Sequence, residues 1–226
     1  MSKILLIEDR TERQQRFITE TNINLNDDVY TSILDNKIGD NYLNLFEQLK
    51  NDTFNFDNYS IIISHKSAFE GENSIILSKL ETYCKKNKKV LVLFSGGIDA
   101  NYYLKDDEYE HIELNSRTLY SENIKLFLED FKDANLNPLI LCYGDRWKLN
   151  ILLNILEKLT LFIAKMTNKP VLYSAFLRDN PDIMIIDTLN LDIYSPVIES
   201  RKITKDEILK LKDSMLNYID ESMKYE

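Results

Sequence analysis

The sequence predicts an α/β fold: a doubly wound, parallel, five-stranded sheet followed by a C-terminal α-rich extension. Three continuous apolar runs, at residues 4–7, 61–63 and 90–94, each end in polar or glycine residues. Such runs are typical of strands that are buried on both faces of a parallel sheet. Strands that alternate with helices through right-handed crossovers form an open sheet, whose ligand crevice lies at the carboxyl ends of the strands.

Two shorter runs, at residues 29–32 and 111–114, complete the five predicted strands. Between the strands, apolar residues recur at three- and four-residue spacing, which predicts amphipathic helices. Thr11 and Gln14 form a capping box that starts the first helix. The other stripes are Tyr42, Leu45, Phe46 and Leu49; Ile76, Leu77, Leu80, Tyr83 and Cys84; and Ile124, Phe127, Leu128 and Phe131.

The pattern changes after residue 135, which predicts a domain at 1–135 and an α/β extension at 136–226 packed on it. A helix at about 146–166 is apolar around most of its circumference, so it needs a second covering surface. Residues 183–186 read as a strand ending in Asp187. Thr204 and Glu207 form a capping box for a terminal helix with an apolar stripe. Either this stripe or another subunit could cover the helix at about 146–166. That stripe consists of Ile208, Leu211, Met215, Ile219 and Met223.

Charge and composition exclude several classes of function. The formal net charge of −9 opposes a polyphosphate backbone or an anionic lipid surface, so we expect no nucleic-acid or membrane partner. The first apolar run is too short for a signal peptide and no segment is apolar enough to span a bilayer, which predicts a cytoplasmic protein. Cys84 and Cys142 stand alone, without the spacing of a zinc site or a disulfide framework.

Polar residues follow the predicted strands at the edge where the crevice should lie. Glu8 and Asp9 end the first strand, and the N-terminal segment KILLIED with the five alternating units resembles the receiver domains of bacterial response regulators. In that family the acidic pair binds magnesium, an Asp ending the third strand accepts phosphate, a Ser or Thr ends the fourth strand and a Lys ends the fifth. Here Ser95 matches the hydroxyl, but His65 stands in the place of the acceptor Asp.

The position of the family's Lys is also changed, because the fifth strand ends in Asn115 and Ser116. The resemblance therefore implies a degenerate receiver domain that cannot form an aspartyl phosphate. A phosphohistidine at His65 and a hydrogen-bonded structural histidine are both open interpretations. The resemblance further implies at most a weak Mg²⁺ site at Glu8 and Asp9, and no other cofactor.

The segment Ser95–Gly96–Gly97–Ile98–Asp99 supports an alternative. It resembles the SGGxDS loop of ATP pyrophosphatases, in which glycine amides hold pyrophosphate ahead of a helix. In the receiver interpretation, the same glycines only turn the chain toward a short fourth helix. The alternative function is thus a nucleotide-binding enzyme.

The expected function is a non-catalytic signalling adaptor of bacterial type that contacts a protein partner, with the chain itself a monomer or homodimer. Receivers signal through the face made by the fourth helix, fifth strand and fifth helix, which corresponds here to residues 99–131. Four tyrosines in that segment are expected to be exposed interface residues, and Trp147 is expected to anchor a core or interface. The tyrosines are Tyr102, Tyr103, Tyr109 and Tyr120.

Overall fold

The structure is a computed structural model that describes residues 3–10, 12–13, 30–32, 39–69, 71–105, 109–132, 137–188, 191, 193–194 and 202–223. The predicted capping box at Thr11 and Gln14 lies outside these residues. The chain divides into two units, 1–145 and 146–226. The boundary therefore falls after Asp145, later than the predicted one at residue 135.

Unit 1 is built on a six-stranded sheet with the strand order β2-β1-β3-β4-β6-β5. Five of its strands pair in parallel, and all five correspond to predicted strands. The doubly wound α/β fold class is confirmed. The strands are β1 Lys3–Ile7, β2 Tyr30–Ser32, β3 Tyr59–His65, β4 Val90–Ser95, β5 Tyr102–Lys105 and β6 Glu110–Asn115.

The central strands are buried on both faces, as their continuous apolar sequences require. Along β1, residues Ile4 to Ile7 are all at most 2 % exposed. One set of alternating side chains, including Leu5, Ile62 and Leu91, joins the core beneath the first two described helices. These helices are α1 Gly39–Lys50 and α2 Asn73–Lys86.

Within the described residues 96–105 the expected fourth helix does not occur, and the antiparallel strand β5 lies beside β6 as the outermost strand of the sheet. Tyr102 is exposed and Tyr103 is buried, so the segment has the two-residue alternation of a half-buried strand. The prediction of a short helix after the glycines is therefore wrong.

Three further helices of unit 1 lie in the described residues after β6: α3 Ser116–Leu119, α4 Glu122–Lys132 and α5 Leu139–Tyr143. Helix α5 packs on α4. It ends at Gly144, whose φ of +75° lies in the left-handed region that favours glycine. A Cβ at this position would lie 3.2 Å from Oδ1 of Asn123, whose amide donates to the carbonyl of Leu141.

Unit 2 is mainly helical. Its elements are α6 Trp147–Lys165, β7 Val171–Leu172, α7 Tyr173–Asp179, a 3₁₀ turn Pro181–Ile183, α8 Met184–Thr188, β8 Lys202–Ile203 and α9 Lys205–Met223. Helix α9 packs on α6, so the terminal helix supplies the cover that α6 was predicted to need. The predicted stripe is buried except for Met223. None of the described helices is long and apolar enough to cross a bilayer.

The strand predicted at residues 183–186 is wrong, because this run is helical. A short apolar run does not by itself distinguish a strand from a buried helix. Pro181 at the start of the 3₁₀ turn favours the helical outcome. The buried carboxylate of Asp182 pairs with Lys158 of α6, which ties the turn to that helix.

Deleting α5 should destabilise unit 1. Residues Leu139 to Cys142 are all buried, and a fully buried aliphatic side chain contributes about 1.5–3 kcal/mol. We expect a chain ending at residue 136 to be less stable than one ending at residue 145 by at least about 3 kcal/mol. Urea unfolding of the two truncations measures the difference, and equal stabilities would show that α5 is not part of this core.

Removing the N-cap of α9 should weaken unit 2. The Thr204 backbone N–H donates to Glu207 Oε2 at 2.7 Å, and the Glu207 backbone N–H donates to Thr204 Oγ1 at 3.3 Å. Thr204→Ala should therefore cost about 1 kcal/mol in urea unfolding. Thr160→Ala, on an exposed position within α6, is the matched control and should not destabilise the protein. Equal effects of the two substitutions would contradict the capping role.

Candidate functional site

The carboxyl ends of β1, β3, β4 and β6 lie along one edge of the sheet, because these strands are parallel. Every predicted receiver-pocket residue lies at or directly after one of these strand ends. They are Glu8 and Asp9 after β1, His65 at the end of β3, Ser95 at the end of β4, and Ser116 after β6. The structure brings the first three together.

The carboxylate of Glu8 is fully buried and accepts hydrogen bonds from three groups. The backbone N–H of Arg10 lies 3.0 Å from Oε1. The hydroxyl of Tyr120 lies 2.7 Å from Oε2, and the guanidinium of Arg13 lies 3.4 Å from the same oxygen. Glu8 is therefore bound by the protein itself, through residues from both ends of unit 1.

His65 faces Asp9 across the same edge. Its Nδ1 lies 2.7 Å from Asp9 Oδ1, and the imidazole is 3 % exposed. The direction of the ring nitrogen is poor for a hydrogen bond, so the contact is best described as a short electrostatic one. The ring also packs on Phe94 with centroids 5.1 Å apart, and Phe94 packs on Tyr120 at 5.7 Å. We call Glu8, Asp9, His65, Arg13 and Tyr120 the acidic edge.

Burial and neighbouring groups shift the pKa values of the two carboxylates of the acidic edge in opposite directions. Burial raises the pKa of Glu8, and its contact with Asp9 raises the pKa further, against the opposing effects of Tyr120 and Arg13. Burial would also raise the pKa of Asp9, but the contacts with His65 and Glu8 outweigh it and lower that pKa to about 2. Burial, and then the charge of Glu8, raise the pKa of Tyr120 well above its usual value. Tyr120 is therefore a hydrogen-bond donor at neutral pH.

The acidic edge does not fit the magnesium site that the family resemblance implies. One ligand atom each from Glu8, Asp9 and His65 lie within 4.8 Å of one another. Magnesium prefers an octahedron of oxygen ligands, however, and His65 offers nitrogen. The guanidinium of Arg13 and the hydroxyl of Tyr120 already contact the Glu8 oxygens. The Glu8 oxygens are therefore occupied by protein donors, and Asp9 is contacted by the imidazole of His65.

Asn115, one of the two residues predicted to stand in the place of the family's Lys, fixes the loop after β4. Its Nδ2 donates to the carbonyls of Ile98 at 2.8 Å and Gly96 at 3.3 Å. Its Oδ1 caps α3 by accepting from the backbone N–H of Arg117. Ser116 is buried, and its hydroxyl has no hydrogen-bond partner among the described residues. The end of β6 therefore stabilises the loop and presents no cation there.

The loop at Ser95, Gly96 and Gly97 lacks the helix that the nucleotide-binding interpretation needs. The next element along the chain is the strand β5, so the loop does not lead directly into a helix as that interpretation expects. The Gly97 backbone N–H lies 3.4 Å from Ser95 Oγ, within the loop itself. An added Cβ at Gly96 or Gly97 would meet no atom within 4 Å, and neither glycine has a positive φ. Neither position requires glycine for its fold.

The prediction of four exposed tyrosines is wrong for three of them. Tyr102 is 38 % exposed, whereas Tyr103 and Tyr109 are only 7 % and 4 % exposed. Tyr103 is on the inward face of β5 and donates to Glu110, while Tyr120 is half-buried and donates to Glu8. Trp147 is half-buried at the start of α6, and the Lys148 ammonium lies over its ring.

Two residues of the acidic edge, Arg13 and Tyr120, were not predicted to take part. Arg13 lies five residues after Glu8, in the helical residues 12–13, and the chain offers other cations nearby. Tyr120 is 112 residues from Glu8 along the chain, so the sequence pattern contains no signal for their contact. Only the strand order shows that they meet.

Comparison with protein-family models, curated proteins and solved structures finds no match to this chain.

Replacing Asp9 should destabilise the protein at neutral pH. Its folded pKa of about 2 lies below its ordinary value of 3.8, so the stability that it contributes is present above pH 4 and is lost as the pH falls toward 2. With allowance for solvent screening, Asp9→Asn should cost about 1–2 kcal/mol at pH 7 in urea unfolding. Asp99→Asn, in the exposed loop, is the control. A deficit that persists unchanged at pH 2 would contradict the account.

Glu8 should have the opposite effect on the pH dependence of stability. Because the fold raises the pKa of Glu8 above 4.5, the stabilising proton is bound at low pH and lost as the pH rises through the folded pKa. Stability should therefore fall with rising pH above about 4.5, and Glu8→Gln should flatten this fall. Glu129→Gln, an exposed position on α4, should retain the slope. Unfolding curves at a series of pH values measure both variants, and an unchanged slope in Glu8→Gln would refute the assignment.

Proposed function

We propose that this protein is a regulatory adaptor built on a degenerate receiver-like domain, which acts by contacting a protein partner and performs no phosphotransfer. The observation that carries the proposal is the end of β3, where the resemblance expects an acceptor Asp. His65 occupies this position, almost fully buried and 2.7 Å from Asp9. It is not a carboxylate and it is not accessible to a phosphoryl donor.

The topology of unit 1 supports the receiver-like interpretation. The parallel strands follow the order β2-β1-β3-β4-β6, which is the flavodoxin-like order once β5 is set aside as an edge insertion. The carried-over positions then share one edge of the sheet. Fold order alone does not determine activity, so the proposal depends on the site residues.

The chemistry of the acidic edge supports a non-catalytic role. Phosphoryl transfer needs a nucleophile and cationic groups that stabilise the developing charge. Glu8 accepts bonds from the chain's own groups, and Asn115 at the position of the Lys is hydrogen-bonded to the loop carbonyls. Lys66, next to His65, pairs instead with Glu113 at 3.0 Å. We infer that the residues which would perform the reaction now serve to hold the edge.

Incubation with acetyl phosphate and Mg²⁺ should leave the protein unmodified. His65 is buried and no carboxylate stands at the acceptor position, so intact-protein mass spectrometry should detect no phosphoryl adduct. A receiver domain with its acceptor Asp intact is the positive control for the reagent. A stoichiometric adduct on the natural chain would overturn the proposal, and a tryptic map would show whether His65 had reacted.

The partner contact should depend on β5, the outermost strand of the sheet on the side of β6. Tyr102 is the one predicted interface tyrosine that is exposed, and it is on the outermost strand of the sheet. We expect Tyr102→Ala to lose a protein that the natural chain retains when it is used to capture partners from its native host. Ile75→Ala, at a 57 % exposed position on α2, is the matched control and should retain it. Retention by both variants would exclude Tyr102 from the interface.

A further inference from the structure

The acidic edge contains a cation of its own. Two adjacent carboxylates, of which Glu8 is fully buried and Asp9 is exposed, repel each other unless a proton or a positive group lies beside them. Glu8 has no exposed surface, and the guanidinium of Arg13 lies 3.4 Å from its Oε2. An arginine is charged at all ordinary pH values, so this compensation is permanent.

His65 occupies the other side of the pair. With the pKa of Asp9 near 2, its carboxylate is ionised at neutral pH. A nitrogen 2.7 Å from a carboxylate oxygen is favoured there when it bears a hydrogen, because two acceptors would repel at that separation, although the ring direction does not meet hydrogen-bond geometry. A proton on Nδ1 prevents this atom from ligating a metal.

We infer that Arg13 and His65 together take the place of a divalent cation at Glu8 and Asp9, so that the natural chain holds this edge closed without a metal. This inference rests on the proposed function in one respect: the acidic edge is taken to belong to a regulatory domain that performs no phosphotransfer. The packing of His65 on Phe94 and of Phe94 on Tyr120 holds the ring against Asp9. An entering cation must displace Arg13, the Nδ1 proton and the Tyr120 hydroxyl.

The test compares the natural full-length chain with His65→Asp and His65→Asn, titrated with Mg²⁺, Mn²⁺ and Zn²⁺ alone. Calorimetry and thermal unfolding report binding, and Mn²⁺ electron paramagnetic resonance reports it on the natural chain without any substitution. We expect no saturable binding by the natural chain. His65→Asp places a third carboxylate at the edge and should gain saturable Mg²⁺ binding, with affinity at least about tenfold above that of His65→Asn, which lacks that charge.

Saturable binding of any of the three ions by the natural chain, lost in Glu8→Gln, would overturn the inference. A folded His65→Asp chain that binds no Mg²⁺ would overturn the role given to His65. Should His65→Asp fail to fold, the measurement on the natural chain still decides. Metal binding would leave the adaptor proposal standing, whereas a phosphoryl adduct or the failure to retain a partner would refute that proposal alone.

Discussion

A carboxylate that is removed from water must be neutralised or surrounded by donors, and Glu8 has this requirement at the centre of unit 1. Its side chain follows a strand buried on both faces, so water cannot reach it. The donors are Arg10 and Arg13, which follow β1, and Tyr120, which follows α3. Removing a donor from such a cluster is costly, because it leaves a buried charge without its partner. The two ends of unit 1 are therefore coupled through this one group.

The same requirement explains why the edge differs from a site that binds ions and phosphate. A receptive acidic pair keeps its lone pairs available to a ligand, whereas here protein donors contact the oxygens of Glu8. His65 next to Asp9, and Asn115 on the loop after β4, extend this internal satisfaction across three strand ends. These contacts hold the acidic edge in one arrangement.

The strands of the parallel sheet could be predicted because each is a continuous apolar run that ends in polar residues, and β6 could be predicted from its shorter run. Strand β5 could not, because four residues give too little periodicity and its pairing with β6 is a tertiary choice. The helix at residues 184–188 was mistaken for a strand for the same reason. The burial of Tyr103 in β5 and of Tyr109 just before β6 depends on which face of the sheet each side chain occupies.

At the site, the sequence correctly predicted that Glu8, Asp9 and His65 would follow neighbouring strands, because parallel strands end at one edge. It could not predict that Arg13 and Tyr120 would satisfy Glu8, since these contacts follow from packing and not from a motif. The internal cation, on which the account of the edge depends, is therefore visible only in three dimensions.

The ring nitrogens of His65 provide the most direct test of whether the acidic edge holds its arrangement without a bound cation or phosphoryl group. The chain has only two histidines, so ¹⁵N-labelled imidazole resonances can be assigned by replacing His111. The account predicts that Nδ1 of His65 is protonated at neutral pH and that its shift does not change when Mg²⁺ and a beryllofluoride phosphoryl analogue are added. An unprotonated Nδ1, or a saturable shift on addition of either ligand, would show that the edge is open and would contradict the account.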